Sequence, residues 1–448
     1  MSKRRYCDVI EIGWRSVLVT MAIAAVGCEV GPNYVTPEST TAPAWTGMSG
    51  EISDRPVATM PSGEPADLTE WWKQFNDSQL TRLIETASTG NLTLAAAQTR
   101  IRQARAALSI ASSGQYPSVD ASASYSRNGN GGGSGRDLFR AGFDATWEID
   151  VFGGVRRNVE AAQSDVHSAE YDRDDVLISL VAEVATTYFE LRGSQRQLEI
   201  AQRNLAAQQQ TLKLTQERLE AGFVSALDVA NARANVTQTE SQIPVYDAQV
   251  RTAIYSLSVL TGREPGFLLE ELSAASEPPV IPGQIPVGLP SDLLERRPDI
   301  RRADADLHSA TARIGVAMAD QFPKFSLTGS FGFQGDHPSS LATAANRFWS
   351  IGPAVSLPLF TGGRIQGNIE EARAETEASL FTYRQSVLTA LQDVETSLVN
   401  FTREQQRRSA LVDSADANRH AVDLSIHLYS AGQTDFLIVL SAQRQLYS

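Results

Sequence analysis

The sequence predicts a mainly α-helical protein that carries four membrane-type β-strands, laid out as two tandem copies of one plan. Three observations carry that expectation. Segments recur at a fixed spacing, apolar residues repeat every seven positions through long proline-free stretches, and four short segments alternate strictly between apolar and polar residues.

The N-terminus sets the compartment. Lys3, Arg4, Arg5 and Arg15 precede the short apolar stretch from Val17 to Val26, followed by Gly27 and Cys28. A basic region, an apolar core too short to cross a bilayer as a helix, and small residues together predict an export signal over residues 1–27. The residues directly before Cys28 resemble the lipobox of bacterial lipoproteins, with Ala25 where that motif usually has Leu. Cys28 is therefore expected to carry a covalent lipid, the only attached group foreseen, with 28–75 as an extended, lipid-anchored N-terminal segment. Cys7 falls inside the signal, so the mature chain would hold one cysteine and no internal disulfide. Beyond Cys28 no window holds the roughly 18 consecutive apolar residues that a spanning helix needs, so any membrane crossing falls to strands.

The first copy covers 76–262 and the second 291–448, joined by a linker over 263–290. Asn91 to Tyr125 recurs as Arg297 to Phe331, with Gln115-Tyr116-Pro117 matched by Gln321-Phe322-Pro323. Val151-Phe152-Gly153-Gly154-Val155-Arg156 matches Leu359-Phe360-Thr361-Gly362-Gly363-Arg364, and Leu219-Glu220-Ala221-Gly222 matches Tyr429-Ser430-Ala431-Gly432. Each copy reads as helix, two strands, a very long helix, a tight turn and a returning helix.

In the first copy the strands are expected at about 117–127 and 139–151, the long helix at 155–221 and its return at 225–260. The second copy repeats this with strands at about 324–333 and 348–358 and a long helix at 364–430. Its return is expected to be truncated, because 16 residues follow Gly432 whereas 40 separate Gly222 from Gly262.

Leu177, Val184, Leu191, Leu198, Leu205, Leu212 and Leu219 form a heptad seam in the first long helix, and Val387, Leu391, Val394, Leu398 and Phe401 step by four and three in the second. Sustained heptads demand neighbouring helices, hence coiled-coil packing. In the strands, Phe139, Phe143, Trp147 and Ile149 alternate with Arg140, Asp144, Thr146 and Glu148, which fits lipid on one face and water on the other. Four strands cannot close a barrel, and an open edge in lipid leaves backbone groups unpaired at several kcal/mol each. Closure must come from further copies, and two, three or four are physically possible.

The chemistry of enzymes and metal sites is not foreseen. The five histidines show no metal-ligand spacing, since His420 and His427 lie two helical turns apart. The glycine run at 129–135 lacks the strand-loop-helix order of a phosphate loop, and no Gly-x-Ser-x-Gly elbow occurs. A net charge of −13 without a basic patch excludes nucleic acid as a partner.

Three motifs then point to a family: Gly27-Cys28-Glu-Val-Gly31-Pro32-Asn-Tyr34-Val-Thr-Pro37, Trp71-Trp72-Lys-Gln-Phe75, and Gly288-Leu-Pro-Ser-Asp-Leu-Leu-Glu-Arg-Arg297-Pro298-Asp299-Ile300. With the duplicated Ala-Gly turns, they resemble the TolC-like outer-membrane factors, in the lipoprotein branch that serves resistance-nodulation-division pumps. The resemblance implies a homotrimer whose twelve-stranded barrel continues into an α-helical coiled-coil barrel with a mixed equatorial belt. It implies a lipid-anchored, barrel-inserted protein of the Gram-negative outer membrane that passively conducts drugs or other small molecules outward. A periplasmic adaptor and an inner-membrane pump are the implied partners. Ala221, Gly222, Ala431 and Gly432 are the implied tip turns and adaptor contacts, and Asp228, Tyr429 and Asp435 the implied gate residues. Ile438, Ser441 and Thr434 stand where the second TolC turn has two aspartates and an arginine. A type I secretion duct for polypeptides and a non-conducting coiled-coil surface protein are the rival readings.

Overall fold

The computed structural model describes residues 29–38, 45, 70–129, 135–281 and 295–447. The export signal, Cys28, the middle of the first hairpin loop and residues 282–290 of the linker lie outside the described residues. In chain order, a 3-10 turn at Trp71–Phe75 leads to α1 (Ser78–Gly90), α2 (Leu92–Ser113), β1 (Ser118–Asn128), β2 (Arg136–Ile149), α3 (Gly154–Glu220), α4 (Ala226–Leu260) and α5 (Leu269–Leu272). The second copy supplies α6 (Pro298–Ala319), β3 (Lys324–Gly335), β4 (Arg347–Ser356), α7 (Arg364–Ser430) and α8 (Phe436–Tyr447).

The chain divides into two compact units. One holds residues 1–40, 97–173 and 295–388, and the other 41–96, 174–294 and 389–448.

The first unit contains one antiparallel sheet in the order β1-β2-β3-β4. Because side chains alternate along a strand, the registers Phe143↔Phe331 and Phe331↔Trp349 put the large apolar residues on one face. The other face carries Asp120, Asp144, Ser330 and Ser350 in one row. Below the sheet, ion pairs tie α2 and α6 to α3. Asp172 lies 3.3 Å from Arg100 and 2.8 Å from Arg302, while Asp165 meets Arg313 at 2.8 Å.

The N-terminal segment is seated in this unit. Val30 donates its N–H to the Phe152 carbonyl at 3.2 Å, and the buried Arg157 donates to the Val30 carbonyl at 3.1 Å and to Asn33 Oδ1 at 2.6 Å. Gly31 adopts φ +94°, and a Cβ there would come 2.5 Å from Gly315 Cα, so only glycine meeting glycine allows this approach. Tyr34 donates to Asp304 and stacks on His308 with centroids 4.4 Å apart. His308 Nε2 lies 2.9 Å from Glu160 Oε1. Burial works against the Glu160 carboxylate, but the bonds from His308 and Arg157 outweigh it and hold its pKa below the ordinary value.

The second unit packs α1 and α4 onto the middle of α3. Leu80, Ile84, Val184, Tyr188, Leu191, Ile254, Leu257 and Leu272 are almost fully buried. Asp77 caps α1 by accepting from the Gln79 and Leu80 N–H groups, and its second oxygen accepts from Tyr188 Oη at 2.7 Å. Burial, and then that bond, push the Tyr188 hydroxyl up to about 12. α4 contains Pro244, which faces Gly193 and Ser194 of α3 across a shallow hollow.

Two details differ from the expected layout. The first helix of copy one is two helices, because Asn91 leaves the helical conformation and its side chain caps α2 at the Leu94 N–H. The repeat spacing also drifts. Val151–Arg156 and Leu359–Arg364 match at a spacing of 208, yet the starts and ends of α3 and α7 lie 210 apart. Gly153 (φ +80°) and Gly363 (φ +89°) share that wider spacing, and so do the second strands, since Ser118 pairs with Thr146 and Lys324 with Ser356; the spacing of 206 at the first strands therefore widens within the second hairpin, before β4.

Candidate functional site

Two regions carry the expected function: the polar sheet face in the first unit and the two turns at the ends of the long helices in the second. In the sheet, Asp120 pairs directly with Asp144 across β1 and β2. Ser122 Oγ donates to Asp144 Oδ2 at 2.8 Å, and Arg140 lies 3.8 Å from the same carboxylate with its guanidinium 4.3 Å from the Phe348 ring centroid. The rest of this face is mostly Ser, Thr and Gly, short side chains that leave room for water.

At the first turn, α3 ends in a Schellman motif. Gly222 donates to the Leu219 carbonyl at 2.9 Å and Phe223 to the Arg218 carbonyl at 2.9 Å, with Gly222 at φ +77°. The second turn repeats it, with Gly432 donating to Tyr429, Gln433 to Leu428, and Gly432 at φ +71°. Ala221 and Ala431 sit one residue earlier, each bonded to the carbonyl four residues back.

The expected gate residues have distinct surroundings. Asp228 belongs to a capping box that starts α4: its carboxylate accepts from the Ser225 N–H at 2.9 Å and from Ser225 Oγ at 2.8 Å. Asp435 is exposed and immediately precedes α8, and its carbonyl accepts from the Ile438 N–H. Tyr429 is buried among Ala232, Phe436, Val439 and Leu440, and its hydroxyl has no hydrogen-bond partner within the described chain. No hydrogen bond joins Asp228, Tyr429 and Asp435 to one another among the described residues.

One contact at this site is not legible in the sequence. Arg218, in the last turn of α3, reaches the second turn, where Nη1 donates to the Tyr429 carbonyl at 2.5 Å and to the Ser430 carbonyl at 3.3 Å. Its guanidinium also lies over the Tyr429 ring at 4.6 Å. A cation in the last turn of a helix is the available sequence signal, but it names no partner. Around both turns Phe223, Leu227, Leu437 and Ile438 are exposed.

The outer membrane efflux protein family matches residues 83–263 and 289–448. The chain belongs to that family. It is 31% identical to nodulation protein T of Rhizobium leguminosarum bv. trifolii over 94% of this chain and 89% of that one. It is 32% identical to the pyoverdine export outer membrane protein OpmQ of Pseudomonas aeruginosa, over 92% and 88%. The solved outer-membrane channel OprN superposes with a TM-score of 0.86 at 34% identity, covering 94% of this chain and 93% of that one. This efflux protein is thus a TolC-like exit duct of the Gram-negative outer membrane.

Proposed function

We propose that this efflux protein works as a homotrimer in which three four-stranded sheets close one twelve-stranded barrel, and the long helices of three copies wall the periplasmic passage. The observation that carries this is the sheet itself: β1 and β4 are both edges, and the face bearing Val119, Phe143, Phe331, Trp349 and Val355 is apolar and exposed. In lipid such edges must pair, and copies of the same chain supply the matching edge. Transport is passive and no catalysis is involved. A periplasmic adaptor docks at the Gly222 and Gly432 turns, an inner-membrane pump of the resistance-nodulation-division class supplies the energy, and selection among small molecules lies in that pump. A lipid on Cys28 adds a second hold on the membrane.

Native mass spectrometry of the detergent-purified mature protein tests the assembly and the lipid together. Three chains, each heavier by its acyl groups and losing them in Cys28→Ser, are expected, with stepwise conductance in planar bilayers. A detergent-free soluble monomer would overturn the proposal.

A further inference from the structure

Two helix faces of the first unit, one on α2 and one on α7, are bare in the single chain and carry opposite charges. Resting on the trimeric reading above, we infer that Glu370 of α7 forms an ion pair with Arg102 on α2 of the neighbouring copy, and that Glu375 accepts a hydrogen bond from Gln103 of that copy.

Equivalent positions in the two copies are set by the helices themselves. α2 and α6 are both 22 residues long and start 206 apart, whereas α3 and α7 are both 67 residues long and start 210 apart. A contact within each copy agrees with these spacings: Arg105 of α2 meets Glu170 of α3 at 2.8 Å, and their equivalents Thr311 and Leu380 line one hollow between α6 and α7. The four strands lie in the order β1-β2-β3-β4, α2 and α6 lead into β1 and β3, and β2 and β4 lead into α3 and α7. The helices therefore form the row α2-α3-α6-α7. Where three such rows close a ring, α7 meets the next copy's α2 as α3 meets α6 within the chain.

The α3–α6 junction has a fixed polarity: the long helix supplies the acids and the short helix the groups that meet them. Glu160 lies 2.9 Å from His308 Nε2, and Asp165 accepts from Ser309 Oγ at 2.6 Å. At the equivalent positions Glu160 becomes Glu370 and His308 becomes Arg102, while Asp165 becomes Glu375 and Ser309 becomes Gln103. Acid again stands on the long helix and donor on the short one, at both contacts. Burial shows that these faces are used only once within a chain. Ala97 and Ile101 of α2 are buried like their equivalents Ala303 and Leu307, so the face turned to the chain's own helices is the same in both copies. Ser309 and Ala312, on the junction face of α6, are also buried, yet their equivalents Gln103 and Ala106 are exposed. On the long helices Arg157 and Ser164 are buried, whereas Gly367 and Ala374 are exposed. Among the described residues Glu370 and Glu375 make no ion pair, and Arg102 donates to Thr99 Oγ1 at 3.3 Å but meets no acid. Phe381 on the bare face of α7 is 56% exposed, while its equivalent Tyr171 is half-buried under Arg301. Opposite charges on matching bare faces favour this contact and disfavour one between two α7 helices.

Charge reversal in the full-length, detergent-purified protein tests the pairing. Arg102→Glu sets like charges against each other at all three junctions, and the trimer is expected to dissociate about tenfold faster, followed by native mass spectrometry. Adding Glu370→Arg restores opposite charges and is expected to return the rate to within about twofold of the parent. Adding Glu377→Arg instead, on the face of α7 that lines the hollow with Tyr34, is expected to leave the rate fast. Gln103→Cys combined with Glu375→Cys covers the case where Arg102→Glu does not assemble: mild oxidation is expected to give covalent dimer and trimer on non-reducing gels. An unchanged rate in Arg102→Glu, equal recovery with either α7 partner, or no cross-link in a trimer intact by native mass overturns the pairing while leaving the trimer standing. A native mass of one chain for the parent protein overturns both.

Discussion

The guanidinium of Arg218 lies over the ring of Tyr429 while its Nη1 donates to the carbonyl of the same residue, so one side chain holds the first tip turn to the second. A cation–π contact is worth about 0.5–2 kcal/mol and a charge-assisted hydrogen bond about 1.5–3 kcal/mol, so this link is large enough to matter to how the two turns are held.

Replacing Arg218 by Ala should therefore loosen the tips without dismantling the helices. Larger single-channel conductance in planar bilayers is the expected outcome, along with greater entry of a bulky antibiotic into cells lacking the pump. Arg218→Lys should fall between the two, since lysine keeps the charge but loses the planar fork. Unchanged conductance in Arg218→Ala would remove the tie from the account of gating.

Asp120 and Asp144 face each other across the β1–β2 ladder, so a closed ring of three chains gathers six carboxylates in the pore wall. Neutralising both with Asn should lower the preference for cations, read as a reversal potential moving toward zero in a KCl gradient. Stability should hold or rise by about 0.2–1 kcal/mol, because opposed like charges are relieved. A reversal potential that does not move would place the selective charge elsewhere.

Gly31→Ala should unseat the N-terminal segment. It forces a Cβ to within 2.5 Å of the Gly315 backbone at a φ that other residues rarely adopt, a cost of about 1–3 kcal/mol or more. Limited proteolysis should then cleave near residue 31 faster than in the parent protein. Equal protection in the variant would mean that the segment is held without this contact.

Glu160 gives a pH dependence with a definite sign. Its folded carboxyl titrates below the ordinary value of 4.5, so its contribution is present above about 4.5 and lost as pH falls through the lower folded pKa. Glu160→Gln should melt below the parent at pH 7, and the gap should close in acid. A gap that persists at low pH would assign the effect to packing around Arg157 instead.

Much of this fold is legible in the chain because its signals are periodic. Period two in Phe139–Ile149 names a sheet with one wet face, and period seven from Leu177 to Leu219 names a helix held against neighbours. The burial agrees in kind: Val184 and Leu191 are fully covered in one chain, whereas Leu198, Leu205 and Leu212 are only half covered, leaving surface for other chains. Non-periodic features are harder to read. Asn91 breaks one helix into two through a single cap, and the only local mark of the break is the Gly90 that precedes it. The reach of Arg218 to a turn 211 residues away depends on two helix ends meeting, which no local pattern encodes. The longer second hairpin is hidden because the Phe-x-Gly-x-Arg motif aligns at 208, whereas the strand registers and the long helices stand 210 apart.

Pro244 gives the two arms of the first turn unequal mechanics. α3 runs from Gly154 to Glu220 without a proline, so its hydrogen-bond ladder is unbroken and it behaves as a strut. In α4 the ring of Pro244 deprives the Glu240 carbonyl of its donor, which makes that point a joint, and Gly193 across from it offers no side chain to block a bend. α3 thus keeps every rung of its ladder along the leucine seam, whereas its returning partner lacks one rung at Pro244 and is the softer of the two arms there.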